Sequence, residues 1–494
     1  MAGAARPAMW PLRRRPCHPG ALRVVCLVLI CSVCMRGRPA EAVFGDQSGV
    51  ESARLYGNIN EYAYYFTDLL VGTKPQRVSV IVDTGSSLCG FPCEGCGHCG
   101  RHIDPPFAID RSLSAQWIPC SAQCEGSCKE GVCTYTQSYT EGSSISGLWF
   151  RDRVQLGDAL QQNPAVNATL GCHVDERKLF YTQRVNGIMG MAPHENSGRP
   201  TILQDLFVDR KHVNTGIFSM CLAEWGGKLS VGGYEPQYHR NDSQIQWIPL
   251  LHSGYYSVSP TELAMDGVQI ASGVGSFGTS LVDSGTTFTY FPQQVFSRLN
   301  AALIAACTTS PGCGARREGA DCWRMEGGAT RPSRFPPLFM AFEGGAKVRW
   351  PPDAYLFQRS EPTLWCHAFA DNGPDSDTVL GVSWMLHKDV IFDLRRSQLG
   401  VAEADCPEFR KAPGEKSSDF QVGPGVSKRP LVYTILLIGG TGVSFLVAVG
   451  VLVWLFYSSC GCCSKEGSYS QHFDREEHLN PDGSGSPDSS RQSP

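Results

Sequence analysis

Two short segments carry an aspartate in the same setting. Val78-Ser-Val-Ile-Val-Asp-Thr-Gly-Ser-Ser87 and Thr279-Ser-Leu-Val-Asp-Ser-Gly-Thr-Thr287 each run through β-branched and apolar residues into Asp, a hydroxyl residue, Gly and a second hydroxyl residue. One such turn is weak evidence, because Asp, Ser, Thr and Gly serve turns throughout proteins. Here each copy is also followed, far downstream, by two apolar residues and a glycine: Ile188-Met189-Gly190 and Val379-Leu380-Gly381. A construction written twice in one chain points to two matched halves.

The chemistry this offers belongs to a pair of carboxylates. If Asp83 and Asp283 are held close, they cannot both be charged and must share one proton. The ionised member can take a proton from water, and the protonated member can stabilise an oxyanion on a carbonyl under attack. Such a pair titrates as a unit, so acid and base are not assigned to either residue. Gly85 and Gly285 permit tight turns and close approach of the two loops. Ser86 and Thr286 supply hydroxyls that can bond the outer carboxylate oxygens and fix their orientation. This chemistry calls for no metal and no cofactor.

The elements that must position the pair are mostly strands. Apart from helical stretches expected at Ile202 to Asp209 and Pro292 to Ala306, short β-branched runs alternate with Gly-rich turns such as Gly226-Gly227 and Gly232-Gly233. The chain therefore reads as all-β with few helices, in two similar lobes. Lobe one spans 54–225, a connection covers 226–244, and lobe two spans 245–408. A length of 494 residues exceeds what one hydrophobic core usually serves. The formal net charge of -4 gives no reason to expect a nucleic-acid partner.

The flanking segments suggest an address. Residues 1–42 combine Arg13, Arg14, Arg15 and Arg23 with an apolar run from Val24 to Met35 and small residues near Ala42, as a secretory signal does; an uncleaved anchor is the alternative. A short prosegment is expected at 43–53. The 27 residues of 431–457 hold no charge and are long enough for one transmembrane helix. A Pro-, Gly- and Lys-containing stalk at 409–430 precedes them, and a polar, disordered cytosolic tail at 458–494 follows. Cys460, Cys462 and Cys463 at the membrane edge are either palmitoylation sites or inert thiols. Asn167 and Asn241 head N-glycosylation sequons. Of 22 cysteines, fifteen lie between the signal and the span, an odd number that leaves at least one unpaired within the chain. Eight of them, from Cys89 to Cys133, form an insert. Cys93-Glu-Gly-Cys96-Gly-His-Cys99 could bind zinc in a reducing compartment and form disulfides in an oxidising one.

Over roughly this whole two-lobed region the sequence resembles pepsin-type aspartic proteases. The residues that carry the likeness are the two Asp turns, the apolar-apolar-Gly segments and Asp377-Thr-Val-Leu-Gly-Val-Ser-Trp-Met with Val390-Ile-Phe-Asp393. The resemblance implies a bilobal fold, peptide or protein substrates, and a flap hairpin at 134–147. It places the flap tyrosine at Tyr139, in Ser138-Tyr-Thr-Glu-Gly-Ser143. Many members hold that tyrosine with a tryptophan seven residues after the first aspartate; Gly90 stands there in this chain.

The Cys-rich insert is similar to that of nepenthesin-like members. Glu61-Tyr-Ala-Tyr-Tyr-Phe66, Phe91-Pro-Cys-Glu-Gly-Cys96, Gly171-Cys-His173 and Trp365-Cys366 look most like plasmepsin V and its apicomplexan relatives. The likeness covers nearly all of lobe one and the ends of lobe two and stops short of 307–328. It implies a single-pass protease of the endoplasmic-reticulum membrane, or alternatively the Golgi, with its catalytic region in the lumen. Such enzymes cut exported proteins after the leucine of Arg-x-Leu motifs, and Glu141 on the flap is the candidate partner for the arginine. Two departures stand out: Thr140 replaces a flap cysteine, and Cys89 is a candidate odd thiol. Competing readings are a general degradative aspartic protease and a catalytically inactive pepsin-like binding protein.

Overall fold

The computed structural model describes residues 49–410, apart from 122–123, 125, 158–162, 194–200, 209–212, 214, 242 and 310–311, together with the strand Gln421–Val422. The signal segment 1–42, the apolar run 431–457 and the tail 458–494 lie outside the described residues, as does most of the stalk. Among the described residues no helix is long and apolar enough to cross a membrane.

The β-branched run before the first aspartate forms the strand Gln76–Asp83, buried from Val78 onward. Burial on both faces explains why Val80, Ile81 and Val82 follow one another instead of alternating with polar residues. It pairs in parallel with Gly187–Gly190, setting Gly190 beside Asp83. Lobe two repeats this: Ser280–Val282 pairs in parallel with Val379–Leu380. The repeat in the sequence is thus a repeat in topology.

One long sheet passes through both halves. Along it run Gln246–Pro249, Gln398–Glu403, Lys388–Asp393, Ile217–Leu222, Gly227–Val231, Glu51–Asn58, Tyr64–Val71 and Gln76–Asp83 in order. The seam between lobe-one and lobe-two sequence is the antiparallel pair Phe218↔Phe392, whose rings stack at 4.4 Å. The expected inter-lobe connection 226–244 therefore contributes a central strand of this sheet. Glu51 pairs with Val231, so residues 51–53 of the segment expected as a prosegment belong to the folded sheet. Three smaller sheets complete lobe two.

The principal helix is Gln293–Thr308, which buries Val295, Leu299 and Leu303 on one stripe. The other expected helix is Ile202–Val208. Seven disulfides join Cys93–Cys172, Cys96–Cys99, Cys120–Cys128, Cys124–Cys133, Cys221–Cys406, Cys307–Cys313 and Cys322–Cys366. Cys89 remains free and buried.

Candidate active site

Both aspartates end a strand and enter a turn that the downstream glycine segment completes. Met191 N donates to Asp83 O at 2.7 Å and Ala192 N to Ser86 O at 2.8 Å. In the second copy Asp283 N donates to Leu380 O at 3.0 Å and Val382 N to Thr286 O at 2.8 Å. Gly190 and Gly381 are required by proximity. A Cβ on Gly190 would stand 2.5 Å from Ser87 C, and one on Gly381 would stand 2.6 Å from Thr286 O.

The two carboxylates are held alike. Gly85 N donates to Asp83 Oδ1 at 2.9 Å, and Gly285 N donates to Asp283 Oδ1 at 2.8 Å. The outer oxygens accept from hydroxyls: Ser86 Oγ to Asp83 Oδ2, and Thr286 Oγ1 to Asp283 Oδ2 at 2.5 Å. The inner oxygens face across the lobes, since a Cβ built on Gly85 would stand 2.6 Å from Asp283 Oδ1. No other residue type would let the loops come so close. Burial, followed by the neighbouring Asp283 charge, raises the Asp83 pKa well above the usual carboxylate range. The pair is therefore built to keep one proton where an isolated aspartate would have lost it.

The flap hairpin is formed by Val132–Ser138 and Ser144–Leu156, closing with Ser138 opposite Ser144. Gly142 N donates to Tyr139 O at 2.9 Å across its tip. Tyr139 packs on Phe180 with ring centroids 4.9 Å apart. The Tyr139 phenol lies close enough to Asp83 and Ser86 to interact with both, and burial, then the Asp83 charge and later that of Glu141, push its pKa up. Glu141 is exposed at the flap tip. The structure thus brings Asp83, Asp283, Gly85, Ser86, Gly285, Thr286 and Tyr139 together, with Glu141 at the rim.

Residues 64–404 match the family described as eukaryotic aspartyl protease. The chain belongs to this aspartyl protease family. Among similar proteins are Aspartic protease 5 of Toxoplasma gondii, 34% identical over 425 residues, and Plasmepsin V of Plasmodium falciparum (isolate 3D7), 28% identical over 448. The first match covers 75% of this chain and 39% of that protein, so the chain spans well under half of its length. The second covers 72% and 73%. Aspartic proteinase nepenthesin-1 of Nepenthes gracilis is 26% identical over 384 residues, covering 74% of this chain and 82% of its own.

For an aspartyl protease, the second residue of each motif does more than the sequence reading assigned to it. Thr84 and Ser284 are fully buried. Thr84 N donates to Ser284 Oγ at 3.0 Å, and Ser284 N donates to Thr84 Oγ1 at 2.9 Å. The same hydroxyls donate to Val282 O and Val82 O, at 2.9 and 2.7 Å. These four bonds lock the two aspartyl turns together. The signal was a hydroxyl residue after each aspartate. Thr287 adds a further link between the lobes, donating to Ala63 O at 2.5 Å.

Proposed function

We propose that this aspartic endopeptidase cleaves proteins in transit through the secretory pathway, after the leucine of Arg-x-Leu motifs. In this reading Asp83 and Asp283 are the catalytic pair. The ionised carboxylate removes a proton from a water molecule as its oxygen attacks the scissile carbonyl. The protonated carboxylate stabilises the oxygen that gains charge, and a proton then passes to the departing amine as the C–N bond breaks. Gly85, Ser86, Gly285 and Thr286 keep the carboxylates oriented, and Tyr139 closes over the substrate.

The observation that carries the specificity is the place of Glu141, exposed on the flap tip two residues beyond Tyr139. A carboxylate there can take a substrate arginine in a bidentate, charge-assisted pair that lysine cannot reproduce. The resemblance to plasmepsin V-type enzymes supports the same motif. It also supports residence in the endoplasmic-reticulum membrane, or alternatively the Golgi, with 431–457 as the single span and the protease in the lumen. Exposure of both Asn167 and Asn241 is consistent with that side of the membrane.

Arg-x-Leu and Lys-x-Leu peptides, each cut by the full-length protein and its Glu141→Ala form, test the specificity. The arginine peptide should be cleaved at least about tenfold more efficiently by the unaltered protein, and Glu141→Ala should erase most of that preference. Equal cleavage of both peptides by the unaltered protein would favour a general degradative protease. Digestion of the catalytic region in sealed microsomes without detergent would reject the lumenal topology.

A further inference from the structure

Lobe one buries a second set of titratable side chains that the dyad chemistry leaves unused. His102, in the Cys-rich insert, sets Nε2 3.0 Å from Glu176 Oε2 and Nδ1 3.1 Å from Gln183 O. The other carboxylate oxygen of Glu176 lies 2.8 Å from His173 Nδ1. Gly100 N donates to Glu176 Oε2 at 3.2 Å. The side chains of His102, Glu176 and His173 are 3%, 0% and 0% exposed.

Proton bookkeeping is constrained by these contacts. Both nitrogens of His102 face oxygen atoms, and the Glu176 carboxylate is shared between the two imidazole rings, one on each oxygen. Burial would raise the Glu176 pKa, but the hydrogen bonds from His102 and His173 outweigh it and hold the carboxyl below its ordinary value. Burial pushes the His173 pKa down. His173 turns Nδ1 to the Glu176 carboxylate, and its Nε2 has no hydrogen-bond partner among the described residues.

That unpartnered edge points at Gly90, on the strand Cys89–Pro92 that follows the first aspartyl turn. His173 Nε2 would lie 2.8 Å from a Cβ at Gly90. The strand registers fix this meeting: Gly90 lies opposite Gly171, and His173 lies opposite Pro92 on one side and Gly147 of the flap hairpin on the other. The disulfide Cys93–Cys172 ties the insert to the same strand. His173 meets Phe180 edge-on at 6.5 Å and 90°, and Phe180 carries Tyr139.

We propose that His173 is a positioning residue for the flap: held by Glu176, and through it by His102 of the insert, its ring fills the space over Gly90 and, by way of Phe180, sets Tyr139 beside Asp83. The Cys-rich insert is then coupled to catalysis through a buried His–Glu–His bridge, beyond any role of its disulfides. Its effect on the reaction is geometric. Displacement of a positioning contact by ~1 Å can cost up to about a hundredfold in rate.

The test is a double-mutant cycle on the full-length protein, reading kcat/KM with a fluorogenic peptide and stability in parallel. His173→Ala should lower kcat/KM at least about tenfold in the unaltered background. In a Phe180→Ala background, where the link to Tyr139 is already cut, it should cost less than about twofold more. A merely structural role would give the same loss in both backgrounds, and that result overturns the proposal. So does a His173→Ala protein within about twofold of the unaltered one. If His173→Ala does not fold, His173→Asn is put through the same cycle. It keeps a donor toward Glu176 but removes the ring edge that faces Gly90 and Phe180, and the same two outcomes decide.

Discussion

Thr84 and Ser284 hold each other across the lobe boundary by two reciprocal hydrogen bonds, each backbone N–H donating to the other residue's hydroxyl oxygen. This relation makes the dyad a property of the whole molecule. Each aspartate sits one residue before its partner in the lock, so the lobes cannot shift without moving both carboxylates.

The lock should be measurable as stability. Thr84→Ala removes a donor to Val282 O and an acceptor for Ser284 N, leaving buried polar groups unpaired. Such losses cost about 1–3 kcal/mol each. Urea unfolding of Thr84→Ala and Ser284→Ala should show destabilisation in that range. The double substitution should cost less than the sum, because the two residues share bonds. Strict additivity would mean that the residues do not act as one lock.

A second expectation concerns pH. Burial and the Asp283 charge raise the Asp83 pKa, so the folded state binds a proton that the unfolded chain releases. The resulting stability is present below the ordinary aspartate pKa and is lost as pH rises through the folded value. Asp83→Asn removes that loss. It should melt higher than the unaltered protein at neutral pH, with the gap narrowing toward pH 4. Activity should fall on the alkaline side as the shared proton leaves, giving one limb of a bell-shaped profile. Activity undiminished at high pH would speak against a shared proton.

Cys89 supplies a third. Burial, followed by the nearby Asp205 charge, pushes its thiol pKa up. Reactivity requires the thiolate and access, and Cys89 has neither. Iodoacetamide at pH 8 followed by peptide mapping should leave Cys89 unmodified in the native protein and modify it after unfolding without reductant. Labelling in the native state would contradict the burial of Cys89, and its recovery in a disulfide would contradict the pairing pattern.

These features differ in how far the sequence announced them. The aspartyl turns were legible because Asp83 and Asp283 share a local pattern, and strand ends, glycines and hydroxyls speak through neighbouring residues. The helix Gln293–Thr308 was legible for the same reason, through the stripe of Val295, Leu299 and Leu303. The odd cysteine count left at least one thiol over, and Cys89 is the one left free and buried among the described residues. The disulfide partners were not legible, because Cys93 reaches Cys172 through folding rather than spacing. Nor was the strand Gly227–Val231, which sits in the middle of the shared sheet although its sequence looked like a connection. The bridge of His102, Glu176 and His173 is harder still. Its members come from two remote segments, and only the packing over Gly90 brings them to the flap.

The central claim is that two carboxylates, one from each lobe, work as a single proton-sharing unit. The most direct measurement is kcat for Asp83→Asn, Asp283→Asn and the double substitution, with folding checked by circular dichroism. Each single change should lower kcat by at least about a thousandfold, and the double should be little worse than either single, because members of one catalytic unit are strongly non-additive. A correctly folded single variant with near-normal kcat would contradict the assignment of Asp83 and Asp283.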